Sequence, residues 1–186
     1  MKCMAVLRAL LAVCAVLSLG GCWRVYESSV SSSSDGRATM RDMDNAIDST
    51  TLQQAQVALS NQTWLYQNPS GRDVHYSTSD GRDFLWRAEA QQIAVGEWRV
   101  EIGINHPKGN EVAKICLRYP SEARHPTGGG GPGSQWHCRP AGLVLFFVKE
   151  RRAGDVLGLA NRTQVPYVRV AFDGATISQL QSRIGR

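Results

Sequence analysis

The spacing of apolar residues changes period once along the chain. Leu52, Ala55, Val57, Ala58 and Leu59 fall largely on one side of a 3.6-residue helix, and Thr50-Thr51-Leu52-Gln53 offers an N-cap with Gln53 in the third helical position. A helix is therefore predicted there, ending near Ser60 and Asn61. Just upstream, Met40, Met43 and Ile47 stand at helical spacing in a polar stretch, which suits a second, short amphipathic helix. From Trp64 onward the period becomes two, with aromatic and β-branched residues between Gly, Asn, Asp, Pro and Ser clusters. That is the mark of short antiparallel strands.

Strands are predicted at Thr63 to Gln67, Asp73 to Ser77, Asp83 to Arg87, Gly96 to Ile102, Glu111 to Tyr119 and Trp136 to Arg139. The unbroken apolar run Leu143 to Val148 reads as a further strand. Val156 to Leu159 and Tyr167 to Phe172 continue the series, and Ala175 to Ile184 closes it as strand or helix. Gly71-Arg72-Asp73 and Gly81-Arg82-Asp83 each precede two apolar residues on one strand face, which reads as repeated turn chemistry. In the strand from Gly96, Trp98, Val100 and Ile102 are expected inward and Glu97, Arg99 and Glu101 outward. The fold class that follows is mainly β, a small antiparallel β-barrel or sandwich of about eight short strands with an N-terminal helix. A doubly wound parallel sheet is disfavoured because helical patterns do not alternate with the strands.

The first residues have a different character. Lys2 and Arg8 stand ahead of an apolar run from Ala9 to Leu19 that is shorter than the roughly 20 residues a spanning helix needs, so it reads as an export signal. Leu19-Gly20-Gly21-Cys22 resembles the lipobox of bacterial lipoproteins. The resemblance implies cleavage before Cys22 and acylation of its thiol, with the membrane as the first partner. Trp23, a residue other than Asp after the cysteine, implies the periplasmic face of the outer membrane of a Gram-negative bacterium. Tyr26 to Gly36 is serine-rich with little to bury, and reads as a tether. The expected organisation is a signal over residues 1–21, lipidated cysteine and tether over 22–48, and a β-rich domain over 49–186.

Export also simplifies the cysteines. Of five, Cys3 and Cys14 leave with the signal and Cys22 takes lipid, so Cys116 and Cys138 remain as a pair in an oxidising compartment, most simply a disulfide. The formal charge of +5 falls by two when Lys2 and Arg8 are removed, and no Lys/Arg block remains. Nucleic acid is not an expected partner.

The segment between those cysteines, CLRYPSEARHPTGGGGPGSQWHC, holds the densest candidate chemistry. Its glycines lack the following Lys and helix that a phosphate loop requires, so no nucleotide or other cofactor is expected. His137 and Cys138 are adjacent, which turns their side chains to opposite strand faces and makes them poor co-ligands for zinc. A Cys/His nucleophilic pair would need a free thiol. Asp73, Asp80, Asp83, Glu97 and Glu101 read as a solvated face rather than paired catalytic carboxylates. No catalytic or metal-binding residue is therefore assigned. The stapled loop leaves His125, Gly129, Gly130 and Trp136 as the candidate binding surface.

Asn61-Gln62-Thr63-Trp64, the Asp80-Gly81 hairpin, Gly96-Glu97-Trp98, Ile115-Cys116-Leu117-Arg118-Tyr119-Pro120 and Trp136-His137-Cys138 occur in an order similar to small uncharacterised envelope domains of Proteobacteria with a calycin-like barrel. The resemblance spans about Gln53 to Pro140 and implies fold and compartment, not chemistry. Two function classes follow. The preferred one is a non-enzymatic envelope binding or structural module for a protein or small ligand. In it, Trp64, Tyr66, Tyr76, Trp86 and Trp98 form the core or line a barrel mouth, and core is favoured. The alternatives are an envelope-polymer hydrolase using a carboxylate or the Cys116/His137 region, or a lysozyme-inhibitor-like protein.

Overall fold

The computed structural model describes residues 39–68, 71–119 and 135–184. The signal segment, Cys22, the serine-rich tether, His125, Gly129 and Gly130 lie outside them. Two helices come first, α1 (Met40–Ser49) and α2 (Leu52–Leu59). Five strands follow: β1 (Gln62–Asn68), β2 (Gly71–Ser77), β3 (Arg82–Trp86), β4 (Ala94–Asn105) and β5 (Asn110–Arg118). Then come β6 (His137–Pro140), α3 (Ala141–Phe147), β7 (Val148–Ala153) and α4 (Ile177–Ile184), with a single 3₁₀ turn at Leu159–Asn161.

All seven strands join one antiparallel sheet in the order β6-β5-β4-β3-β2-β1-β7. The sheet is a curled half-barrel with β6 and β7 at its edges, not a closed barrel of about eight strands. The missing strands are those expected after β6. Leu143 to Val148 forms most of α3 instead, with only Val148 entering β7. An unbroken apolar run carries no period to separate a buried strand from a buried helix, and here it is packed between α1 and the sheet. Val156 to Leu159 is a turn leading into the 3₁₀ segment. Tyr167 to Phe172 lies outside the sheet. Ala175 to Ile184 resolves as helix from Ile177.

The helix starts obey local chemistry. Thr39 and Asp42 form a reciprocal capping box on α1, and Thr51 and Gln54 form one on α2, so the third-position partner is Gln54 and not Gln53. Thr176 and Gln179 exchange the same pair of bonds at α4, at 2.9 and 3.2 Å. Helix α1 occupies residues expected to belong to the tether. It buries Ile47 and packs on α3, so the ordered domain begins before residue 49.

The sheet is covered on one face by helices and on the other over β1 to β3. On one, Trp64, Tyr66, Leu85, Trp98, Ile115 and Leu117 pack with Ala55 and Leu59 of α2 and Ala141 and Val144 of α3. On the other, Leu65, Val74, Phe84 and Trp86 pack with Leu157, Leu159, Ile177 and Leu180 from the C-terminal segment. Trp64, Tyr66, Trp86 and Trp98 are thus core residues. Ile102, expected inward, is 51% exposed, because the hairpin of β4 and β5 runs past the end of the helical cover.

Candidate functional site

Two groups of polar side chains stand out, one sealed in the core and one on the surface. The sealed group follows from strand parity. Val74 and Phe84 turn to one face, so Asp73, His75, Ser77 and Asp83 turn to the other, where α2 and α3 exclude water. His75, Ser77 and Asp83 have no exposed surface, and Asp73 is also buried. The expectation that Asp73 and Asp83 form a solvated face is corrected here. It assumed that one side of an antiparallel sheet meets solvent, and both sides of this one are covered over β2 and β3.

Asp83 is the hub of the buried group. Ser77 Oγ donates to its Oδ1 at 2.6 Å, while the Tyr119 hydroxyl and His75 Nδ1 both reach Oδ2, the latter at 2.9 Å. Trp64 Nε1 donates to Ser77 Oγ at 2.8 Å, and the Trp64 ring stacks on the His75 imidazole with centroids 3.9 Å apart and planes 8° from parallel. Tyr119 reaches this point by crossing Gly96 on β4. A Cβ at Gly96 would lie 2.4 Å from both the Tyr119 ring and the Arg118 carbonyl oxygen. Burial pushes the Tyr119 hydroxyl well above the usual tyrosine range, and the neighbouring Asp83 and Asp73 charges push the same way.

An imidazole held at Nδ1 by a carboxylate presents a basic Nε2, the orientation used in general-base catalysis. Here His75 Nε2 is buried without a hydrogen-bond partner among the described residues, and the Trp64 ring lies over the imidazole. Ser77 donates to Asp83 rather than to His75. The arrangement holds protons in fixed places and ties β1, β2, β3 and the end of β5 together.

The surface group lies on the opposite face, at the β6 edge. Cys116 and Cys138 are directly opposed in the β5–β6 register, with sulfurs 1.97 Å apart, so the expected disulfide distance is met. The pairing joins the strands on either side of residues 120–134. Trp136, just before β6, lies against two guanidiniums, with Arg99 4.3 Å and Arg118 4.7 Å from its ring centroid. Arg99 pairs with Glu101 at 2.8 Å, and Arg118 pairs with Glu97. Register accounts for the cluster, since Glu97 faces Arg118 and Arg99 faces Cys116 across the β4–β5 ladder.

Of the expected surface, Trp136 is therefore described and partly exposed. Of its companions, Glu97, Arg99 and Glu101 are legible in the sequence only as outward residues of β4, and Arg118 carries no signal of its own. Glu101 also brings a carboxylate oxygen 3.6 Å from Cys138 Sγ, which makes Glu101, Cys116 and Cys138 the ligand-type group gathered most closely here. With the two sulfurs bonded to each other, neither is a thiolate to hold a metal or to act as nucleophile. A separate shallow cleft is lined by Gln91, Gln92, Gln164, Val165, Tyr167 and Val168. Among the described residues, no helix is long and apolar enough to cross a membrane. No family model, curated protein or solved structure matches the chain.

Proposed function

We propose that this protein is an exported lipoprotein, acylated on Cys22, whose β domain is a non-enzymatic binding module of the cell envelope with Trp136 at the centre of its recognition surface. The observation that carries the reading is the position of Trp136 against Arg99 and Arg118 on a disulfide-clamped edge strand. An indole held by two guanidiniums loses little conformational freedom on contact, and each cation–π pair contributes about 0.5–1 kcal/mol at an exposed site. Because Glu97 and Glu101 each pair with one of the two arginines, the surface is polar and both guanidiniums are partnered. It suits a partner that offers hydrogen bonds and a flat apolar contact rather than a polyanion.

The disulfide supports an oxidising compartment. It also weighs against a hydrolase working through Cys116, whose sulfur is bonded to Cys138 and fully buried. The test has two parts, made on the full chain expressed in a Gram-negative host. Mass spectrometry of the mature protein is expected to show an N-terminus at Cys22 carrying acyl chains. A photo-crosslinking amino acid at position 136 is expected to trap a discrete envelope component that the same group at Val57, exposed on α2, does not. An unprocessed, unacylated chain would overturn the lipoprotein reading, and identical crosslinking from both positions would overturn the binding surface.

A further inference from the structure

Strand register gathers three side chains of ligand type at the β6 edge. Arg99, Cys116 and Cys138 form one row across β4, β5 and β6, and Glu101 stands two residues along β4 from Arg99, on the same face. The Glu101 carboxylate is divided between two neighbours: Arg99 pairs with Oε2 at 2.8 Å, and Oε1 stands 3.6 Å from Cys138 Sγ. A Glu101 oxygen and the two sulfurs all lie within 4.8 Å of one another. Glu101 and Cys138 are half-buried, whereas Cys116 is fully covered.

The donors and their spacing are those of a zinc site. A tetrahedral zinc with bonds of about 2.3 Å to sulfur and about 2.1 Å to oxygen holds two such ligands about 3.6 Å apart. Glu101 Oε1 and Cys138 Sγ already stand at that distance. A sulfur in a disulfide carries no proton to donate, so the carboxylate gains no hydrogen bond from this approach. Arg99 holds Oε2 and leaves Oε1 facing the sulfur, as an outer partner does when it orients a metal-binding carboxylate. Only the two sulfurs must part, to about 3.8 Å, and that requires their bond to be cleaved.

We propose that Cys116, Cys138 and Glu101 form a redox-gated zinc site, closed while the disulfide stands and opened by a dithiol reductant. One thiolate of the dithiol attacks Cys138 Sγ, the more exposed sulfur, and the electron pair of the S–S bond leaves on Cys116, which Arg99 faces across the β4–β5 ladder. The second thiol of the reductant then resolves the mixed disulfide. The dithiol is thereby oxidised to its own disulfide, and both cysteines are reduced. Zinc binds the two thiolates and Glu101 Oε1, with water in the fourth position, and the two cysteine protons pass to solvent. The metal takes over the tie between β5 and β6 that the bridge supplied.

Equilibrium dialysis of the purified full chain in detergent against zinc(II), either oxidised or kept reduced with a phosphine, tests the site. The Cys116→Ser/Cys138→Ser variant sets the background from any other thiol. The reduced chain is expected to hold one zinc above that background and the oxidised chain none, and zinc is expected to raise the melting temperature of the reduced chain. Glu101→Gln is expected to raise the dissociation constant at least tenfold with unchanged circular dichroism, while Glu111→Gln, near the far end of β5, leaves it alone. Reduced and oxidised chains that bind alike, a double-serine variant that keeps the metal, or a Glu101→Gln chain that binds as the parent does would overturn the proposal. So would a reduced chain that loses its β-sheet circular dichroism with zinc present, since no preset site then survives the opening of the bridge.

Discussion

Gly96 marks the place where a single hydrogen atom decides how the core is assembled. Tyr119 crosses the sheet there to reach Asp83, and the methyl of Gly96→Ala would enter both the Tyr119 ring and the Arg118 carbonyl. This substitution is expected to cost about 2–3 kcal/mol, read as a lower urea midpoint, because the ring must leave its place and strand the Asp83 network. Asp83→Ala should cost more. It removes the acceptor that Ser77, Tyr119 and His75 share in the core, at about 1–3 kcal/mol for each buried bond that is not replaced. Tyr119 also sets an alkaline limit. The unfolded chain releases its phenolic proton near pH 10, whereas the folded chain keeps it, so the unfolded state binds fewer protons above that pH. Stability should be full below about pH 10 and fall as pH rises beyond it, with a shallower fall in Tyr119→Phe. Chemical denaturation at a series of pH values measures the slope. Tyr66 and Tyr76, whose hydroxyls burial also pushes up, account for what remains.

At the scale of elements, α3 shows why composition alone misassigns a segment. Gly142 lets this helix approach α1 so closely that a Cβ there would lie 2.0 Å from the Ala46 carbonyl oxygen. Gly142→Ala is expected to push α1 off the domain, lowering the melting temperature and the helical circular dichroism signal together. The change should cost about 2 kcal/mol. Helix α1 has a second tie at the same C-terminal end, where Lys108 donates to Asp48 at 2.8 Å and Asn110 donates at 3.3 Å. The Lys108 bond holds the Asp48 carboxyl below the usual carboxylate range, with Asn110 adding to the shift. At the opposite edge, β6 is a four-residue strand whose covalent tie is the Cys116–Cys138 bridge. Replacing both cysteines by serine should lower stability by about 3 kcal/mol, the value for a ring of about 20 residues. Thermal unfolding of the variant beside the reduced and oxidised parent protein measures it.

For the whole molecule, the central fact is a sheet covered on one face by α2 and α3 and on the other only over β1 to β3, with β6 and β7 as its edge strands. A half-barrel of seven strands cannot satisfy its own interior, so α2 and α3 fill one side and the 3₁₀ turn and α4 fill the other. Polar residues on the α2/α3 side were therefore forced into mutual hydrogen bonds rather than solvated. The outer face at β4, β5 and β6 remains free to carry Trp136 and its arginines.

The amino-acid sequence by itself determined the local events. Period-two alternation placed β1 to β6 to within a few residues, Thr50-Thr51 marked a helix start to within one residue, and the count of cysteines paired Cys116 with Cys138. These depend on neighbours along the chain, or on arithmetic that needs no geometry. Tertiary structure decided whatever depended on what covers a face. It made Leu143 to Phe147 a helix, because a two-sided apolar run fits either state until its neighbours are known. It turned Asp73 and Asp83 from expected surface residues into core, and joined Trp136 to Arg99 and Arg118 across two strand pairings. Periodicity reports that a strand has two faces. Only packing establishes which of them meets water.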